Sequence, residues 1–316
     1  PETPVGQPVL KTMELGPRDR LSQAFWHEHK KGKTVETPWG DCVLLDMRHL
    51  GAKKILERLP LVHELALAYV GVDMIKDPVP IRPVIHFMMG GIDCNLDGAS
   101  PMPGLFAIGE TACSGLHGAN RLGSNSLTDL LVSGKRSADA AIRYAESAGG
   151  SIDDPDLDQQ AEDIVAGIRA LLTQSGGDET ISGIRREMRV ALEDGAGIYR
   201  DEEGALTACE KIAELRERYK SIEVNDKSNV FNTDLQSALE LRNLLEVAET
   251  VAEGSLERRE SRGAHQRLDF TERDDEKFLK HSLCFKQQES RPRVEWSEVK
   301  ITRSQPGTRD YSGGKK

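Results

Sequence analysis

The chain has 316 residues, with 42 lysines and arginines against 52 aspartates and glutamates, and a formal net charge of −10. This acidic balance argues against a general nucleic-acid binder, which needs a basic excess, but it leaves room for a local basic pocket. The apolar runs, such as residues 65–72, are far shorter than the roughly 20 residues of a membrane-spanning helix, so we expect no membrane span.

The cysteines indicate a reducing environment. There are five of them, an odd number, and no two form a CxxC pair; they stand at positions 42, 94, 113, 209 and 284. This pattern disfavours a disulfide scaffold or a zinc ribbon and favours a cytoplasmic protein. The length predicts about two domains' worth of chain.

The first 78 residues predict a mixture of strand and helix. Residues 42–47 are typical of a short strand after a turn at residues 38–40. Residues 52–72 predict two helical pieces, broken near Pro60 because proline interrupts the hydrogen-bond ladder. Residues 79–83 contain two prolines, cannot be helical, and are interpreted as a linker between domains.

The next segment, up to residue 146, is rich in glycine. Residues 105–108 form a short apolar run between two glycines, which predicts a buried parallel strand. A loop rich in glycine, asparagine and serine follows, and residues 126–148 then have helical spacing. A strand, a glycine loop and a helix in this order make half of a nucleotide-binding unit.

The rest of the chain predicts a helical bundle followed by a polar tail. The four predicted helices cover residues 156–174, 178–194, 202–221 and 233–256. Asn232 or Thr233 is the expected cap of the last helix. Beyond it, residues 293–302 predict a strand, and residues after 305 are expected to fray.

The glycine loop is a candidate anion site. Residues 117–127 read HGANRLGSNSL, and such small residues let a ligand approach the backbone closely. Ser124 or Asn125 can cap the following helix, whose free amides would then face the loop with the positive end of the dipole. Arg121 adds a guanidinium fork that matches a carboxylate or a phosphate. The chain contains neither GxGxxG nor a Walker sequence, so the usual phosphate loops are absent.

Three further residues have both a functional and an ordinary interpretation. Glu110 follows the apolar run, where a carboxylate can accept hydrogen bonds from a ribose diol, but it can equally be a solvated loop residue. His86 precedes a pair of glycines and is either catalytic or structural. Arg18 stands beside Asp19 and by default is a surface arginine.

Two charged stretches are also considered. His27 and His29 are two residues apart and cannot share a helix face, so no metal site is expected there. The basic stretch 258–267 is interpreted either as a solvated segment or as a docking surface.

Together the motifs resemble the flavoprotein subunit of fumarate reductase and succinate dehydrogenase. The resemblance runs through essentially the whole chain. Residues 19–28 are more similar to quinol:fumarate reductase than to succinate dehydrogenase. It is carried by LGPRD at 15–19, His86 with MGGI at 89–92, PGLFAIGE at 103–110, HGANRLGSNSL at 117–127, ESRGAH at 260–265 and ERDD at 272–275.

The resemblance implies an α/β plus α fold, the C-terminal part of an FAD-binding, Rossmann-like flavoprotein. Residues 1–78 would be the C-terminal part of a capping domain, and 79–150 the last segment of the FAD-binding domain. Residues 151–256 would be a helical domain, and 257–316 a C-terminal domain. The family's glycine fingerprint and its histidine for covalent FAD attachment do not precede Pro1, so only the C-terminal half is expected here.

The same resemblance implies roles for individual residues. Arg18 would deliver the proton to the substrate, while His86 and Arg121 would hold its carboxylates, and no metal is implied. Glu110 would bind the ribose of FAD. The remaining cofactor contacts would come from His86, Phe87, Arg121, Leu122, Gly123, Ser124, Asn125, Ser126 and Leu127.

The implied activity is reduction of fumarate to succinate by hydride transfer from FAD. Electrons would arrive from quinol through an iron–sulfur subunit, with the complex peripheral on the inner face of the cell membrane through anchor subunits, and no nucleic acid is expected as a partner. The chain by itself is expected to be inactive. The alternatives are a succinate dehydrogenase running in the opposite direction, an L-aspartate oxidase, and a truncated fragment that only docks to partners.

Overall fold

The structure is a computed structural model that describes residues 18–38, 40–148, 155–287, 290–305 and 307. Within this part the chain divides into two compact units, one ending at His86 and one running from Phe87 to Gln305. The first three residues of the LGPRD motif, Trp39 of the predicted turn, and all of the tail after residue 305 except Gly307 lie outside the described residues.

The first unit mixes short helices with a two-stranded sheet. Its buried centre is made of Ile55, Ala66, Met74 and Val79. Proline at the first position of α3 ends the preceding helix, which confirms the predicted break. The elements are α1 (Arg18–Lys30), β1 (Val43–Leu45), α2 (Gly51–Arg58), α3 (Pro60–Leu65) with a π turn (Ala66–Val70), and β2 (Val79–Ile81).

The linker predicted at residues 79–83 is wrong for its first three residues. They form β2, which pairs antiparallel with β1 and places Pro80 opposite Leu44. Proline is tolerated there because both strands are edge strands of a two-stranded sheet, so its missing N–H costs no central ladder bond. β1 confirms the strand predicted at residues 42–47 in a shorter form.

The glycine-rich part of the second unit differs from the prediction at residues 105–108. Phe106 makes only a single antiparallel bridge to Ala99, and Leu105 and Ile108 are both 42% exposed. The buried parallel strand predicted there is wrong, because no described strand flanks this run on both sides. The parallel pair is formed instead by β3 (Ile92–Asp93) and β4 (Ala112–Cys113).

The five long helices confirm the helical predictions for this unit. Asn232 caps the last one, since its Oδ1 accepts a hydrogen bond from the Leu235 N–H at 2.8 Å. The core between the last three helices includes Ile184, Ile212, Leu215, Leu241 and Leu245. The helices are α4 (Ser126–Ala148), α5 (Pro155–Thr173), α6 (Ile181–Ala196), α7 (Glu202–Tyr219) and α8 (Thr233–Glu257).

A short helix and a hairpin complete the second unit. They are α9 (Asp275–Phe278), β5 (Lys280–Phe285) and β6 (Arg293–Glu298), the last two pairing antiparallel. β6 confirms the strand predicted at residues 293–302 in a shorter form, whereas β5 was not predicted. Among the described residues, no helix combines the length and the apolar character needed to cross a bilayer.

Candidate functional site

The loop formed by residues 117–125, called the Arg121 loop below, ends at the N-terminus of α4. Asn125 is the last residue before the helix, and its carbonyl accepts the Asp129 N–H at 2.9 Å. Ser124 before it has φ +59°, a left-handed conformation that lets the chain turn sharply into the helix. The first amides of α4 lack partners within the helix, so this end of the helix attracts an anion.

Arg121 lies at this helix end. Its guanidinium donates to the Ser126 Oγ at 3.0 Å, and its central carbon lies 5.5 Å from the centroid of the Phe87 ring. The aromatic face and the serine hydroxyl restrict the arginine. The charge of Arg121 and the helix dipole therefore act on the same place, which is the arrangement expected of an anion site.

His117 organises the loop, a role that the sequence did not predict. Its Nδ1 accepts the Leu122 N–H at 3.3 Å, so the neutral ring carries its proton on Nε2. Nε2 faces the Asp129 carboxylate at 3.8 Å, and the ring meets the Phe87 ring edge-on with centroids 5.0 Å apart. The only signal in the sequence was its place at the head of the HGANRLGSNSL run.

Glu110 ties the segment that follows Phe87 to the same region. Its Oε1 accepts the Met88 N–H at 2.8 Å, and the residue is exposed in the middle of a 3-10 turn (Gly109–Thr111). A carboxylate that accepts one backbone N–H through one oxygen can accept a ligand hydroxyl through the other. Gly91 passes so close to Thr111 that a Cβ on it would lie 2.4 Å from the Thr111 carbonyl oxygen, and its φ of +123° also requires glycine.

Only some of the site residues predicted from the sequence are seen in contact with one another. Phe87, Arg121 and Ser126 are in contact, and the loop residues beside them are on the surface. Arg18 and His86 belong to the first unit, where both are exposed, and Arg18 is the first residue of α1. The exposed members beside Arg121 are Leu122, Gly123, Ser124 and Leu127, and Asn125 is partly buried.

This donor set fits a flavin nucleotide. Leu122 is 51% exposed and Leu127 is 75% exposed, so they offer apolar surface beside the helix amides. A flavin presents a flat apolar ring with carbonyl oxygens at its edge, which these groups match, and Glu110 suits a ribose diol. The residues of this loop and Glu110 therefore fit FAD.

The basic stretch 258–267 is largely buried and paired, so its interpretation as a solvated segment is wrong. The side chains of Arg267 and Glu260 are completely buried. Glu260 accepts hydrogen bonds from Arg258, from Arg262 and from the Asp274 N–H, at 2.7–3.0 Å. Arg267 forms a two-bond pair with Asp269 at 2.6 and 2.7 Å. Full pairing is what makes such buried charges tolerable.

His265 lies within this buried cluster and should make folding pH-dependent. Burial, followed by the charge of Arg200, lowers the pKa of His265 to about 3, against about 6.5 in an unfolded chain. Above pH 6.5 the ring is neutral in both states. As the pH falls below 6.5, His265 binds a proton in the unfolded chain but stays neutral in the folded chain. The free energy of unfolding should therefore fall, by about 2 kcal/mol at pH 5.

The measurement is denaturant unfolding of the wild type and of His265→Gln at pH 7.5 and pH 5. The difference between the two pH values should be smaller in the variant by about 2 kcal/mol. An equal difference in both proteins would show that His265 does not carry this dependence.

Comparison with known protein families matches both parts of the chain. Residues 5–127 match the model of an FAD binding domain, and residues 185–311 match that of the fumarate reductase flavoprotein C-terminus. FAD is therefore the cofactor that the family match indicates.

Curated relatives carry the same names. The fumarate reductase flavoprotein subunit of Haemophilus influenzae is 54% identical over 98% of this chain and 52% of its own length. The succinate dehydrogenase flavoprotein subunit of Rickettsia bellii is 35% identical over 92% of this chain and 50% of its own length. The chain thus spans about half the length of the curated relatives that it matches.

Solved structures agree in fold. An Escherichia coli quinol fumarate reductase chain superposes with a TM-score of 0.90 at 50% identity, covering 99% of this chain and 54% of that one. A quinol–fumarate reductase solved with menaquinol gives a TM-score of 0.87 at 51% identity, covering 96% and 52%. The chain belongs to the family of fumarate reductase and succinate dehydrogenase flavoprotein subunits.

Proposed function

We propose that the chain is part of the flavoprotein subunit of a fumarate reductase. The observation that carries this proposal is the placement of Arg121 at the N-terminus of α4, restrained by Ser126 and Phe87. A dicarboxylate needs such a cation at each end. The family match and the exposed apolar residues of the same loop support a flavin beside it.

When FAD is bound and reduced, its flavin would supply a hydride to one alkene carbon of fumarate and would itself be oxidised. Arg121 binds one substrate carboxylate and His86 the other, and these contacts stabilise the negative charge that develops on the substrate. The amides of α4 add to the same field. Arg18 delivers a proton to the adjacent carbon. Because an arginine has a pKa above ~12, it acts as a donor only beside a strong base and with a relay that reprotonates it.

The proposal also specifies the domains of the chain and its partner subunits. Residues 1–78 complete a capping domain, 79–150 an FAD-binding domain, 151–256 a helical domain and 257–316 a C-terminal domain. Electrons reach the flavin from quinol through an iron–sulfur subunit, and anchor subunits hold the complex peripherally at the inner face of the membrane. Solved relatives described as quinol fumarate reductases support this arrangement.

A succinate dehydrogenase is the second candidate. The Rickettsia bellii relative bears that name, and every group assigned above serves the reverse reaction equally. The direction is decided by comparing fumarate reduction and succinate oxidation rates of the complete complex with artificial electron donors and acceptors.

Flavin retention distinguishes the proposed catalytic role from the alternative that the chain is a non-catalytic fragment that only docks to partners. In this proposal the chain contributes contacts only to the flavin ring and the ribose of FAD, so the 316 residues alone should lose FAD during gel filtration. The complete complex containing the chain should stay yellow and reduce fumarate with a reduced viologen dye. A colourless, inactive complex would support the non-catalytic fragment, and a flavin spectrum that survives gel filtration of the chain alone would contradict the division of the site.

A further inference from the structure

The ESRGAH motif contains a tight turn at residues 262–265, called the 262–265 turn below. The Arg262 N–H donates to the His265 carbonyl at 2.7 Å, and the His265 N–H donates back to the Arg262 carbonyl at 3.0 Å. Gly263 at its tip has φ +60°, a left-handed conformation that glycine adopts without strain. Nothing in the proposed chemistry uses this turn.

Buried groups hold both ends of the turn. Arg262 binds the buried Glu260 and also reaches the Asp275 carboxylate at 2.6 Å. The His265 ring lies between Arg200, which donates to Nδ1 at 2.8 Å, and the Arg258 carbonyl, which accepts from Nε2 at 2.9 Å. The tautomer follows from these partners, since a guanidinium only donates and a carbonyl only accepts. The backbone of the turn is therefore firmly placed.

The tip of the turn contacts the Arg121 loop. The Ala264 N–H donates to the Ala119 carbonyl at 2.9 Å. A Cβ on Gly263 would lie 2.4 Å from that carbonyl oxygen and 2.6 Å from its carbon, both backbone atoms. Only glycine therefore allows the loop to come this close, and the contact is made two residues before Arg121.

We propose that the 262–265 turn positions Arg121 for its ligand, with Gly263 as the positioning residue. The inference rests on the proposed function of Arg121 as the group that grips a dicarboxylate. Ser126 and Phe87 restrain the side chain of Arg121, while the turn restrains the backbone that carries it. A fork that binds a carboxylate with two hydrogen bonds loses much of its affinity when it is displaced by about 1 Å.

The test is malonate binding to the complete flavin-loaded complex, followed through the flavin absorption spectrum. Malonate is a dicarboxylate without a CH–CH bond to oxidise, so it reports binding alone. Gly263→Ala should raise the Kd for malonate by ~10- to ~100-fold. The matched control is Gly176→Ala, since Gly176 has φ +77° but nothing within 4 Å of an added Cβ. The control should keep the Kd within about twofold.

A double-mutant cycle separates positioning from general destabilisation. In an Arg121→Ala background, Gly263→Ala should cause no further loss of malonate affinity, because the residue through which it acts is gone. The same loss in both backgrounds, or a Gly263→Ala complex that binds like Gly176→Ala, would overturn the proposal. If Arg121→Ala alone binds malonate like the wild type, it is the proposed function that fails.

A second variant applies if Gly263→Ala does not fold. Arg262→Lys keeps the positive charge beside Glu260 but loses the fork that also reaches Asp275, so it loosens the turn without stranding a buried carboxylate. It should raise the malonate Kd in the same direction, by at least ~3-fold, and should do so only when Arg121 is present. An unchanged Kd would overturn the proposal.

Discussion

Replacement of Arg18 by glutamine is expected to abolish fumarate reduction by the complete complex. Glutamine keeps hydrogen-bonding capacity but has no proton to give at neutral pH, so the substrate carbon next to the site of hydride addition stays unprotonated. Reduction of the bound flavin by an artificial donor should persist, because that step does not use the substrate proton. Stopped-flow flavin reduction and steady-state fumarate turnover measure the two steps separately.

Arg20→Gln is the matched control for this experiment. Arg20 is on the same helix and exposed, and its guanidinium donates to Gln23 at 3.0 Å within that helix. Turnover should stay within about twofold of the wild type in this variant. An Arg18→Gln enzyme that still reduces fumarate would refute the assignment of Arg18 as the proton donor.

Arg121→Lys should lower kcat/KM for fumarate by at least ~10²-fold, the scale of losing one preorganised donor. The guanidinium binds the Ser126 hydroxyl with one nitrogen and has others left for a carboxylate. An ammonium group keeps the charge but cannot hold both partners in one plane. The loss should be largest in the transition state, so kcat should fall as well as the affinity.

The matched control here is Arg143→Lys, an exposed arginine in the last turns of α4. It should leave kcat/KM within about twofold and should have the same flavin content as the wild type. Activity of Arg121→Lys at the level of this control would show that Arg121 does not grip the substrate.

The helical part of the chain could be predicted because its signals are local. Helical spacing of apolar residues and the Asn232 cap act within one element, and the observed α8 begins at the predicted residue. The placement of Arg121 beside the start of α4 could be predicted for the same reason, since Arg121, Ser124 and the first residue of α4 are nearly contiguous; the binding of an anion there stays a prediction.

The errors arise where a residue's partner is distant in the sequence. Residues 105–108 look like a buried strand, but burial depends on neighbours that the run itself does not specify. Residues 258–267 look solvated because they are charged, whereas Arg258 donates to the carbonyls of Phe278 and Lys280 and Arg267 to that of Ser255. His117 was missed because its role depends on a backbone N–H and on Phe87, neither of which a sequence pattern displays.

The contact between Ala119 and Ala264 joins segments that are about 145 residues apart in the chain. Closing so large a loop costs entropy that is recovered only when the intervening chain is already ordered. Helices α6, α7 and α8 pack against their sequence neighbours, and such local contacts form early in folding. We therefore expect the Arg121 loop to be completed late in folding, so that a ligand of this loop binds only chains in which the intervening helices have already folded.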